Sequence, residues 1–122
     1  MAYVDGYVIT IPKKNRAEYT KMAREGMRAW MKFGAVDYKE CVLDDAKPKG
    51  VTRTFAKLSG ATPKNDVWFS YIVYKNKKHR TEVNKKVMAY FESEPKFKDM
   101  MTKMPFDMKQ FSYGGFTPVV EA

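Results

Sequence analysis

Apolar and polar positions change their period several times along the chain, and each change marks an element. Residues 3–12 alternate, with Tyr3, Tyr7, Ile9 and Ile11 on one side and Val4, Val8 and Thr10 on the other. That pattern predicts a strand closed by Pro12. A helical period follows, in which Tyr19, Met22, Ala23, Gly26, Met27, Trp30 and Phe33 form one stripe. Asn15 is the expected cap, Glu18 its reciprocal partner, and Gly34 the stop. Alternation returns over 35–45 and sets Val36, Tyr38, Glu40 and Val42 against Asp37, Lys39, Cys41 and Leu43. Pro48, Gly50, Gly60 and Pro63 then punctuate an irregular stretch, with room for a short strand or turn over 51–58. Residues 66–75 are apolar on both faces, as a central strand would be. From Asn76 a second helix is expected, with Val83, Val87, Tyr90 and Phe91 as its stripe and Pro95 at its end. A short separate helix over 95–104 and a last strand over 111–121 complete the pattern.

The predicted order is β-α-β-β-α-β. Two such split units build an α+β, ferredoxin-like domain: a four-stranded antiparallel sheet with both helices on one face. One domain over 1–122 is expected, with no linker or repeat. The two helices cover a single face, yet the central strand is apolar on both. A second copy, sheet against sheet, is the simplest cover, so a homodimer is expected.

Composition narrows the classes. With 44% hydrophobic and 15% aromatic residues, the chain has the makeup of a packed core. It holds no apolar run long enough for a membrane span, and its first residues are too polar for a signal peptide. A lone cysteine, Cys41, excludes an internal disulfide and fits a reducing cytoplasm. With only Cys41 and His79 to offer, a Cys/His zinc site is excluded, and neither metal nor cofactor is expected. The net charge of +9 points toward an anionic partner, but the lysines are scattered from Lys13 to Lys109 rather than gathered.

Four stretches, YVDGYVI, FGAVDYKECVLDD, WFSYIVYKNKKHRTEVNKKVM and MPFDMKQFSYGGF, carry a resemblance. Together they are similar to the YbaA-like family of small, uncharacterised bacterial proteins. Met108 and Gln110 stand where a glycine and an arginine are usual. The resemblance implies membership of the dimeric α/β-barrel superfamily and assigns no reaction. Some members of that superfamily are cofactor-free oxygenases or isomerases. By analogy of fold, it implies a pocket between sheet and helices for a small, partly aromatic molecule.

Candidate chemistry follows from residue type and parity. Asp5 and Glu40 are mid-strand carboxylates, able to accept a proton if they share a buried face. Tyr7, Tyr38, Tyr71 and Tyr113 are the tyrosines that could line the same cavity. His79, with Glu82 as orienter, is a third catalytic candidate, its plainer reading being an exposed histidine beside that glutamate. Cys41 reads as a small buried thiol. Lys77, Lys78, Arg80, Lys85 and Lys86 form the best nucleic-acid face, an alternative to small-molecule binding. The 104–116 segment reads as architecture: Pro105 and Asp107 suit a turn, and Gly114 and Gly115 allow a bulge or a close approach by a partner or a ligand.

Overall fold

A computed structural model describes residues 1–122, the side chain of Met101 apart. Its strands are β1 (Tyr3–Pro12), β2 (Asp37–Val42), β3 (Asn65–Tyr74) and β4 (Phe111–Phe116). The helices are α1 (Arg16–Lys32), α2 (Phe55–Ser59), α3 (Lys77–Ser93) and α4 (Lys98–Thr102). All pairings are antiparallel and the strand order is β2-β3-β1-β4, the order of a ferredoxin-like sheet. The α+β expectation holds.

Register converts the alternation of each strand into two faces. On the helix-covered face, Glu40, Ser70, Tyr7 and Tyr113 form one row across all four strands. Asp5 lies in the next row, between Ile72 and Gly115. The opposite face carries Val8 and Phe69 as direct partners, with Tyr71, Cys41 and Phe116 around them.

The core lies between sheet and helices in two clusters. One joins Ile72 and Tyr74 to Val83, Val87, Phe91 and Phe97. The other joins Ile9, Ile11 and Trp68 to Tyr19, Ala23 and Phe106. The first cluster holds α3 and the C-terminal end of α1 against the sheet and the second holds the N-terminal half of α1, with the Glu40 row between them.

Local chemistry departs from expectation at several places. The 51–58 stretch contributes to a helix, α2, capped by the Thr54 hydroxyl, which accepts from Lys57 N–H. Asn15 does not cap α1 through its side chain; its Nδ2 reaches 90 residues along the chain to donate to Pro105 O at 2.9 Å. That bond ties the start of α1 to the turn before β4. Asn76 does cap α3, accepting from His79 N–H at 2.7 Å. Met27, placed in the α1 stripe by its spacing, points to solvent, and Ala29 takes the inward position. Cys41 is exposed rather than buried, because β2 is an edge strand and its outer side has no layer over it.

Gly115 has a packing reason. A Cβ there would collide with the hydroxyl end of the Tyr3 side chain, which crosses the strand at that point. The close approach expected of this glycine comes from within the chain.

Candidate functional site

A cavity of about 560 Å³ opens between the sheet and the helices. Its floor is the cross-strand row of Glu40, Ser70, Tyr7 and Tyr113. Tyr19, Gly26 and Trp30 of α1 and Asn84, Met88 and Phe91 of α3 form the walls. Met100, Met104 and Phe106 add a flexible apolar margin. Most of the lining is apolar, and a few polar atoms converge inside it.

Glu40 is the centre of those polar atoms. Its Oε1 accepts from Tyr19 OH at 2.7 Å and from Ser70 Oγ at 2.6 Å, and its Oε2 accepts from Tyr38 OH at 2.5 Å. The three donors arrive from α1, β3 and β2 itself, so the carboxylate is fixed by the tertiary fold. Gly26 makes room for this: a Cβ there would stand 3.1 Å from the Tyr38 hydroxyl. Burial pushes the Tyr19 and Tyr38 phenols well above their ordinary range, and the Glu40 charge pushes them further. Both therefore stay protonated and remain donors.

Tyr7 is likewise pushed far up, by burial first and then by Asp5. Its ring lies 5.0 Å from that of Tyr113, centroid to centroid. At the α3 wall, Asn84 Oδ1 accepts from Trp30 Nε1 at 2.9 Å and from Tyr74 OH at 3.1 Å. An indole nitrogen can only donate, so the amide orientation is settled and the Asn84 Nδ2 hydrogens are left over.

Asp5 occupies a different environment. It is fully buried and lies outside the cavity lining. Its Oδ1 accepts from Tyr113 OH at 3.0 Å and faces Arg80 at 3.4 Å. Arg80 also donates to Tyr113 OH at 2.6 Å and stacks over the Tyr3 ring. The two mid-strand carboxylates share a sheet face, yet each has its own set of partners.

The remaining candidates are placed as follows. Tyr38 and Tyr113 join Tyr7 at the cavity, while Tyr71 does not, since its parity in β3 turns it to the open face beside Lys39. His79 is remote from the cavity; its Nδ1 accepts from Lys75 N–H at 3.1 Å, and it bonds no Glu82 carboxylate among the described residues. Lys77, Lys78, Lys85 and Lys86 are exposed on α3, whereas Arg80 folds inward to Asp5 and leaves that face. Among the described residues no cluster of His, Cys, Asp and Glu could hold a metal ion, and no helix is long and apolar enough to cross a membrane.

Sequence reasoning missed Tyr19, Ser70, Trp30 and Asn84 as site residues. Tyr19 and Trp30 belong to an apolar helical stripe that reads as core. Ser70 offered the one usable signal, a small hydroxyl inside an otherwise apolar central strand.

Comparison with known proteins finds similarity along nearly the whole chain. Residues 2–108 match the family described as "Protein of unknown function (DUF1428)", a match that ends before β4. The "Uncharacterized protein YbaA" of Escherichia coli K12 is 35% identical over 121 residues, covering 99% of both chains. The proteins of that name from Escherichia coli O157:H7 and Shigella flexneri show the same identity and coverage.

Proposed function

This chain belongs to the DUF1428 family, whose description carries no activity, and from that premise we propose that it is a small-molecule binding protein working as a paired barrel. Residues 1–122 act as one domain, two copies join through their open sheet faces, and each copy holds a compact, mainly apolar molecule between sheet and helices. The observation that carries this reading is the 560 Å³ cavity with the Glu40 row as its floor. Its volume lies within the range of about 300–1,000 Å³ typical of ligand pockets. A catalytic form, of the cofactor-free oxygenase or isomerase kind, would use Glu40 as proton acceptor; binding needs only the cavity.

The pairing rests on the open face. Phe69 and Phe116 are 46% and 60% exposed there, with Val8 between their strands. Large rings this exposed on a pleated surface, with Phe55 of α2 only edge-on to Phe69, favour a second copy. The lone thiol supports a cytoplasmic setting. The nucleic-acid alternative loses Arg80 to the interior and keeps only a lysine row on α3.

Native mass spectrometry on protein freshly purified at low salt tests both parts. A dimer carrying added small-molecule mass is expected, and Phe116→Asp should convert it to monomers. A wild-type monomer would remove the pairing. Retained RNA mass would favour the alternative.

A further inference from the structure

Charge is distributed unevenly between the surface and the cavity. The chain carries 23 Lys and Arg residues, yet Glu40 is the only formally charged residue among the described ones lining the cavity. The carboxylates it can be compared with are answered within the protein: Asp66 by Arg16, at 2.6 Å, and Asp5 by Arg80. Among the described residues Glu40 has three hydroxyl donors and no cation. Hydroxyls meet its hydrogen-bonding demand but leave its charge uncompensated in apolar surroundings. A carboxylate offers about four acceptor directions, so one is open, on the Oε2 that only Tyr38 occupies.

We propose that the cavity takes an organic ammonium ion on a ring-containing apolar body, with the ligand supplying the cation that Glu40 lacks. The inference rests on the cavity reading above and specifies its occupant. The ammonium donates to Glu40 Oε2 on the cavity floor. Trp30, Tyr7 and Tyr19 line the cavity, and aromatic rings are the groups that attract a cation and stack on a flat body. Asn84, with its oxygen fully used by Trp30 and Tyr74, offers Nδ2 to an acceptor elsewhere on that body. Selection is against anions, which the overall positive charge would otherwise attract to the protein surface.

The test uses the full chain and two probes of one shape, naphthylmethylamine and its neutral counterpart naphthylmethanol. Binding is read by calorimetry and by the indole N–H signals of Trp30 and Trp68. The amine should bind at least about tenfold more tightly than the alcohol, the worth of one hydrogen bond to a charged group. Glu40→Gln should bring the amine down to the affinity of the alcohol measured in the same variant. Equal affinities in the wild type would overturn the ammonium assignment and keep the cavity. Failure of both probes to bind would remove the cavity reading itself. An amine preference that survives Glu40→Gln would place the cation elsewhere and overturn the proposal. If Glu40→Gln does not fold, the wild-type ratio and Glu40→Asp, with its carboxylate drawn back, decide the matter: Glu40→Asp should narrow the preference.

Discussion

Asp5 and Glu40 stand on the same face of one sheet, in adjacent rows, and their surroundings assign them different work. Asp5 is sealed, on a central strand, against Arg80 and Tyr113, with Tyr3 stacked over the guanidinium. Every partner in that group comes from the chain, and although Asp5 Oδ2 is buried without a hydrogen-bond partner, Asp5 does not line the cavity. Glu40 is held as firmly, but by neutral donors, on an edge strand, and it faces open volume. A carboxylate whose counter-charge is built in supports the fold. One that is oriented yet uncompensated is poised for something that arrives.

The largest expected effect tests the Asp5 side. Asp5→Ala leaves Arg80 without its counter-charge in a site where the arginine side chain is only 18% exposed. Removing one partner of a buried pair costs about 3–5 kcal/mol, and urea unfolding should show a loss of that order, reduced somewhat by the residual exposure of Arg80. A loss under about 1 kcal/mol would mean that the pair behaves as a surface contact and that the contrast with Glu40 is false.

Gly115→Ala comes next. The added methyl collides with the Tyr3 ring, and Tyr3 must leave its place over Arg80. Overpacking of this kind costs about 1–3 kcal/mol. Tyr3→Ala in the Gly115→Ala background should recover the collision part, which a double-mutant cycle reads directly.

The smallest effect sharpens the Glu40 side. Tyr19 and Tyr38 have phenols raised in the fold above their unfolded value of about 10. Above that pH the unfolded chain loses these protons and the folded chain keeps them. Their contribution is therefore fully present below about pH 10 and is lost as pH rises beyond it. The alkaline limb of stability should be shallower in Tyr38→Phe than in wild type, and the tyrosinate absorbance that wild type shows in excess of Tyr38→Phe should appear only on unfolding. Tyrosinate formed in the folded protein by all the phenols at about pH 10 would break the account of a protonated donor set.

Much of this contrast was legible in the residues, and the rest depended on alignment between strands. Alternation placed Asp5 with Tyr7 and Glu40 with Tyr38 on single faces, since side-chain parity is a local property. Nothing local fixes which residue of β3 stands opposite Glu40, so Ser70 and the complete row needed the register. Arg80 looked like part of a basic surface because a helix start rich in lysine gives no sign that one long side chain turns inward. Tyr71 shows the same limit. It is as aromatic as its neighbours, and its face is known only once β3 is placed in the sheet. Cys41 was expected inside for its apolar neighbours, which carry no information about whether a strand lies at the edge.

The strand order separates the two carboxylates in one more respect. β1, which carries Asp5, is laddered on both sides, whereas β2, which carries Glu40, hangs from β3 alone. Substitutions along β2 disturb a single ladder and one edge of the cavity floor. On the binding role proposed above, Tyr38 and Glu40 are the two residues of this singly laddered strand through which the pocket can be retuned, while the doubly laddered strands keep the architecture.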